Sequence, residues 1–482
     1  MKKVIAIVLL LTVLSCGVFC MISADALSER ANVTVKENVL YGDRSYAEGA
    51  TVFTRAEYDY HLFWDTKYKV GKIPTCETEY SFSAKKQYRD SERRQYGVIL
   101  ELDIKYGVNL AIPAEEQSGI SKAFRELYDE TEPGEEKKRM IRLQDYYEYY
   151  PIRVSFDLPG TLWQGNSYEG LSPDSQKNEM EVWKRFNEFF RIPIPKDLPA
   201  FEISVSRSER GDSIGIGTGI IGREFYLRGT NVYTSDRCFF SIGNRLGYLK
   251  GYEEEFVDTS LIPGGYGIYS VSYRNVRDET NTNGNLTSWR QNYDTGIDAD
   301  SLTMVFPLEQ SVEVNQIMVN PDETKLLLLT RERDELYFTV IDIASMKELQ
   351  KFKVCDDKYY VVNENDDFIA IEGDENISVI ALQPNGEYEL SFSVPINEEI
   401  NVNSVHKGIS TVMDFDGERL VTVDPIYERQ YSGFETCSFS MAVYTKDGLM
   451  YYAEYDSSLS VIADTGNYNY NILPLEFRVE LE

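Results

Sequence analysis

Histidine is almost missing from this chain: there are two in 482 residues, His61 and His406. A Ser-His-Asp or Cys-His nucleophile would have only these two bases to draw on, and neither neighbourhood carries GxSxG or a cysteine motif. Cysteine is scarce as well. Beyond Cys16 and Cys20, the remaining Cys76, Cys238, Cys355 and Cys437 are spread so widely that they form no CxxC pair and no zinc framework. They can be paired as disulfides in any of three ways or stay as four buried thiols. No HExxH, P-loop or dinucleotide fingerprint occurs. The glycine-rich GIGTG, Gly215 to Gly219, is followed by no helical pattern and reads as a strand edge or turn. Positive charge is also in deficit. Lys plus Arg number 49 against 79 Asp plus Glu, a net charge of −30, which repels phosphate backbones and anionic lipid heads and argues against nucleic acid as a partner.

Long apolar runs are absent with one exception. Val4 to Ile22 carry no charge, follow Lys2 and Lys3, and precede Asp25 and Glu29. That order marks export, the two lysines staying inside while the rest leaves. Three outcomes fit. Ala24-Asp25-Ala26 suits cleavage near Ala26, giving a secreted protein. The run is also long enough to stay as an anchor over residues 4–22. Val13-Leu14-Ser15-Cys16 is similar to a lipoprotein box, with Val where Leu is usual. Membrane contact is expected through this segment alone, and an extracytoplasmic setting permits disulfides.

Aromatic residues are plentiful: 35 Tyr and 23 Phe, which favour half-buried pleated surfaces over helices. The chain is also longer than one ordinary core, so it is two domains or one large repetitive one. A repeat decides the matter for the C-terminal part. VNPDETKLLLLT, Val319 to Thr330, is echoed by VNENDDFIAIE, Val362 to Glu372. Each continues through a charged hairpin turn, a second apolar strand, a turn and a more polar strand. The offset is roughly 43 residues, inside the ~40–50 residue period of four-stranded blades. KLLLLT, DFIAIE and RLVTVD do not alternate, so both of their faces must be covered, as in sheets stacked face to face. MDFDGERLVTVD starts a further unit at Met413 and Val443 to Asn467 another. GGYGIYSVSYRN with SLTMVFPLEQ, and CFFSIGNRLGYLKGYEEEFV ahead of it, extend the series upstream.

NPDETKLLLLT…YFTVIDIASMKELQ and TKDGLMYYAEYDSSLSVIADTGN resemble the YVTN and WD40-like β-propeller repeat, with its PDG turn, apolar strand, V-I-D strand and T-G turn. The likeness covers the C-terminal 200–280 residues and departs from the pattern at Glu323, where Gly is usual, and at Ser345-Met346, where Thr-Gly would stand. It implies a fold and carries over no functional residue. The expected architecture is all-β, a propeller of about 6–8 blades, preceded by the signal or anchor at 1–26. Residues 201–482 hold about six of the repeats. Residues 27–200 form a β-rich region, read as a helix-interrupted extension of the same sheets. Its two helices are SGISKAFRELYDE, with Ile120, Phe124 and Leu127 on one stripe, and NEMEVWKRFNEFFR, with Val182, Phe186 and Phe189 likewise. Pro193 and Pro195 stop the second.

Chemistry is harder to place. NENDD, Asn363 to Asp367, puts oxygen ligands on alternate residues, but Phe368 sits where a calcium loop needs Gly, and its place in the repeat says turn. No metal and no cofactor is expected. Two insertions hold aromatic residues: Arg274 to Asp300 carries Trp289 and Tyr293, and Pro425 to Thr436 carries Tyr427 and Tyr431. Taken as equivalent hairpins they would open on one face and offer these four rings for stacking on sugars or packing a protein; otherwise they are simply long polar loops. The expected function is an exported or tethered binding and scaffolding module without catalysis of its own, its partner an extracellular protein or glycan. The alternative is an extracellular carbohydrate-active hydrolase using two carboxylates of the propeller.

Overall fold

The computed structural model describes residues 11–21, 32–58, 62–83, 99–102, 119–150, 152–155, 173–194, 196, 200–207, 213–216, 226–245, 256–274, 296–356, 360–373, 375–396, 411–426, 434–436, 438–458, 460–462 and 476–482. Residues 11–21 are helical; the rest of the apolar 4–22 run lies outside the described residues. Among the described residues no helix is long and apolar enough to cross a membrane. The chain forms two compact units, residues 1–92 with 354–482 and residues 93–353.

The first unit contains three stacked antiparallel sheets. Its terminal sheet joins both ends of the chain, with Glu476–Glu480 pairing with Thr51–Tyr58, then Leu62–Lys69 and Thr75–Phe82. The five-stranded sheet runs Val412–Phe415, Leu420–Pro425, Phe439–Thr445, Gly448–Ser457, and adds Val35–Gly42 at its outer edge. The third sheet is Tyr360–Glu364, Phe368–Gly373, Asn376–Leu382 and Tyr388–Pro395 in chain order. Val421, Val423, Phe439, Met441, Tyr451 and Tyr455 pack on Val52, Ala56, Tyr68 and Phe477 of the terminal sheet. On the opposite face Leu420, Ala442, Tyr444 and Tyr452 pack on Phe368, Ala370, Val379 and Phe392. This double burial explains why RLVTVD does not alternate: Leu420, Val421, Thr422 and Val423 are all buried. A period of two appears only where one face is wet.

The second unit has two sheets of the same build. Asn231–Tyr233, Arg237–Ser241, Gly267–Tyr273 and Ile297–Pro307 form one; Val312–Val319, Lys325–Glu332, Glu335–Asp342 and Lys347–Cys355 form the other. Phe239 and Ile268 of the first meet Ile317, Leu326, Leu328 and Ile341 of the second. Both helices are present. Gly119–Asp129 buries Ile120, Phe124 and Leu127, and Pro173–Phe190 buries Val182, Phe186 and Phe190. Their apolar stripes share one core with Ile141 and Ile203 of a three-stranded sheet, Glu136–Ile141, Phe201–Ser206 and Ser213–Ile216. The first residues of GIGTG thus lie in an edge strand. A second three-stranded sheet orders Tyr226–Arg228, Ile99–Leu102 and Ile152–Ser155.

The strand register corrects three readings of the sequence. The two upstream units are one sheet, because Arg237–Ser241 pairs directly with Gly267–Tyr273 across a long connection. Val443 does not open a new unit: Phe439–Thr445 and Gly448–Ser457 are the third and fourth strands of the sheet begun at Val412. Among the described residues, 201–482 therefore holds four such sheets of four or five strands where about six were expected. The insertion at 274–300 joins third and fourth strands, whereas that at 425–436 joins second and third, as the Arg331–Glu335 turn does. The two insertions leave their own sheets at opposite ends and are not equivalent hairpins.

The departures from the repeat pattern at Glu323 and Met346 have a conformational cost, which Arg333 in a hairpin turn shares. Glu323 (φ 55), Arg333 (φ 62) and Met346 (φ 51) occupy the left-handed region that glycine adopts freely. The Asn320 side chain holds the first of these turns, its Oδ1 accepting from the Thr324 and Lys325 amides at 3.0 and 2.6 Å. NENDD ends a strand and makes a turn, with the Asn365 amide donating to Phe368 O at 2.9 Å.

Candidate functional site

The terminal sheet has one wet face. Val52, Thr54 and Ala56 point into the core, while Phe53 and Arg55 alternate with them on the other side. The same alternation runs through residues 65–68, where Thr66 and Tyr68 are buried and Asp65 and Lys67 exposed. Register then assembles a grid. Phe53 lies between Arg478 and Lys67 on the two flanking strands, Lys67 faces Glu77, and Asp65 faces both Arg55 and Glu79. These side chains line a groove of about 670 Å³ together with Phe477, a volume that fits a small ligand.

The grid's charges are unevenly used. Arg478 places its guanidinium carbon 4.3 Å from the Phe53 ring centre and pairs with Glu480 at 2.7 Å. Arg55 lies 5.0 Å over the Phe63 ring and 3.5 Å from Asp65. Lys67 turns its ammonium toward Phe53, at 5.7 Å. Among the described residues Lys67, Glu77 and Glu79 make no ion pair within 4 Å; the Lys67 charge acts only from a distance on Glu482, which is itself held by Lys69.

Behind the wet face, the sheets of the first unit are clamped by a polar network. Arg44 Nε donates to both Glu37 carboxylate oxygens at 2.8 Å, and Arg44 Nη1 donates to Gly71 O at 2.7 Å. The Tyr451 hydroxyl donates to Glu37 at 2.6 Å and meets the Tyr455 hydroxyl at 2.8 Å. Burial and then the Glu37 charge raise the Tyr68 hydroxyl to about 12, and burial pushes Tyr451 and Tyr455 up as well, so all three hydroxyls stay protonated. Glu37 belongs to the edge strand Val35–Gly42, and the network fastens that strand to the core.

One carboxyl group stands out between the five-stranded sheet and its neighbour. Burial raises the Asp424 carboxyl above its usual value, partly offset by a hydrogen bond from the Thr411 hydroxyl. Asn363 Nδ2 of the neighbouring sheet donates to Thr411 O at 3.2 Å. Burial likewise raises Glu364, with Asp366 adding to it.

The four rings singled out by sequence, Trp289, Tyr293, Tyr427 and Tyr431, lie outside the described residues, as do His61, His406 and Cys437. Cys76 and Cys238 are thiols outside any disulfide. The groove residues were not singled out from sequence, although the alternation of TVFTRAEY and LFWDTKYK was a signal for one solvated face. Nothing local could have announced that Arg478 completes it from the far end of the chain.

No protein-family model matches the sequence, and no curated protein is similar to it. Among solved structures, the chain is similar to the periplasmic gluconolactonase of Pseudomonas aeruginosa at 10% identity and TM-score 0.25, covering 59% of this chain and 67% of that one. TolB from Acinetobacter baumannii gives 11% identity and TM-score 0.21 over 89% of this chain and 82% of that one. The β-propeller domain of Swd1 from Myceliophteria thermophila gives 10% and 0.23 over 52% and 69%. Scores this low carry no argument for activity or for a ring of fixed size.

Proposed function

We propose that this chain is an exported or membrane-tethered, β-propeller-like binding and scaffolding module that recognises a protein or glycan outside the membrane, without catalysis or cofactor of its own. The observation that carries the reading is the groove on the terminal sheet. Its floor is an aromatic ring flanked by two cations and its wall is acidic, which supports a recognition surface for a polar ligand. Export rests on the Lys2-Lys3 and Val4 to Ile22 pattern, and tethering on the length of that run. Repeated four-stranded sheets, with the last strand completing the first sheet, support a propeller of about 6–8 blades. Trp289, Tyr293, Tyr427 and Tyr431 are further candidate contact residues for such a partner.

The test is a screen of surface proteins and glycans against the purified protein, followed by Phe53→Ala, Trp289→Ala and Tyr427→Ala variants. Weakened binding at unchanged melting temperature supports the reading; a screen without any ligand, or hits untouched by all three changes, ends it. Cell fractionation tests export, and recovery in the cytosol would refute that part.

The hydrolase reading is favoured by one feature, the Asp424 carboxyl that accepts from the Thr411 hydroxyl and is raised by burial, as a general acid requires. If glycoside cleavage is found and Asp424→Asn leaves its rate and pH profile unchanged, that assignment is wrong.

A further inference from the structure

We infer that the groove of the terminal sheet takes a short peptide with both termini free, its carboxylate end at Lys67 and its ammonium end at Glu77 and Glu79. The inference rests on the proposed binding role of this same groove and names the ligand class.

Three observations lead to it. Lys67 and Glu77 are directly opposite in register on adjacent strands, a position from which long side chains ordinarily reach each other. Here they do not pair: Lys67 leans over Phe53 on the other side, which leaves an ammonium and a carboxylate facing the same space without neutralising each other. A ligand of one sign would satisfy one wall and be repelled by the other, whereas a dipolar ligand is complementary to both. The arginines that flank the cationic side, Arg55 and Arg478, already hold carboxylates, so the discriminating cation is Lys67. Size agrees with this. Lys67 leans away from Glu77 toward the Phe53 strand, which sets the two charges up to about two strand spacings, ~10 Å, apart, and an extended tripeptide is about 10 Å long. Phe53, beside the Lys67 ammonium, offers apolar surface to the carboxylate end of such a chain.

The experiment titrates the full-length protein with trialanine, N-acetyl-trialanine and trialanine amide, followed by calorimetry and by ligand-observed saturation transfer. Lys67→Gln and a Glu77→Gln/Glu79→Gln double variant, all at exposed positions, are run beside the parent protein. Blocking the C-terminus should weaken binding at least fivefold in the parent and have no effect in Lys67→Gln. Blocking the N-terminus should weaken it similarly in the parent and have no effect in the Glu double variant. Equal binding of the three peptides, or binding of none, overturns the inference. If none binds but a screened protein or glycan is still lost on Phe53→Ala, the binding-module reading survives and only the peptide assignment fails; if neither responds, both fail.

Discussion

Replacing leucines one at a time along Lys325–Glu332 tests whether stacked sheets cover both faces of this strand. Leu327 is 2% exposed and Leu328 fully buried, on opposite faces of the strand. Leu328 belongs to the cluster shared with Phe239 and Ile268, and Leu327 pairs across with Val340. Truncating a fully buried leucine to alanine costs about 2–5 kcal/mol, the transfer term plus the cavity left behind. At 1.4 kcal/mol per factor of ten, Leu327→Ala and Leu328→Ala should each raise the opening equilibrium of this hairpin roughly 30-fold to 4,000-fold. Hydrogen exchange of the amides in Glu335–Asp342, read by mass spectrometry, reports that opening locally and avoids assuming two-state unfolding of a two-unit chain. Glu79→Ala, on the wet face of the terminal sheet, is the control and should leave protection there unchanged. If Leu327→Ala behaves like the control while Leu328→Ala collapses, the strand has one solvated face and the stacking argument is wrong.

Other expectations follow from backbone and charge. Arg333→Gly removes a left-handed strain of about 1 kcal/mol in an exposed hairpin turn and should raise the melting temperature; a fall would mean that the Arg333 side chain holds the turn. Gly42, at φ +75, would place a Cβ 1.9 Å from Met450 O, so Gly42→Ala should loosen the edge strand Val35–Gly42 and speed cleavage by a protease just after it; unchanged proteolysis would refute this. Asp424 has a folded-state carboxyl raised above 3.8, so the folded state binds its proton more tightly than the unfolded state does. Its stabilising contribution is therefore present at low pH and is lost as pH rises through the folded value. Asp424→Asn, whose oxygen can still accept from Thr411, should stabilise the protein at neutral pH and give no gain in acid. A gain independent of pH would show that Asp424 is not the group responsible.

Residue type and spacing announced a good part of this protein in advance. The helices around Phe124 and Phe186, the strand at Lys325 and the turns at Asn320 and Asn363 are local, so their signals sit within a dozen residues. Even the missing glycines at Glu323 and Met346 were visible as departures, and the structure assigns them the strained angles such departures imply. Reading the groove was harder. TVFTRAEY shows that one face is wet but not which cations from elsewhere will share it.

What the sequence settled alone was the kind of surface each strand presents, because alternation or its absence is a property of neighbouring residues. Which strands meet was settled only in three dimensions. Glu476–Glu480 joins Thr51–Tyr58, Val35–Gly42 joins Gly448–Ser457, and Arg237–Ser241 joins Gly267–Tyr273. Backbone hydrogen bonds are alike at every residue and carry no address, so such pairings are chosen by the burial of whole faces, a sum over residues hundreds of positions apart.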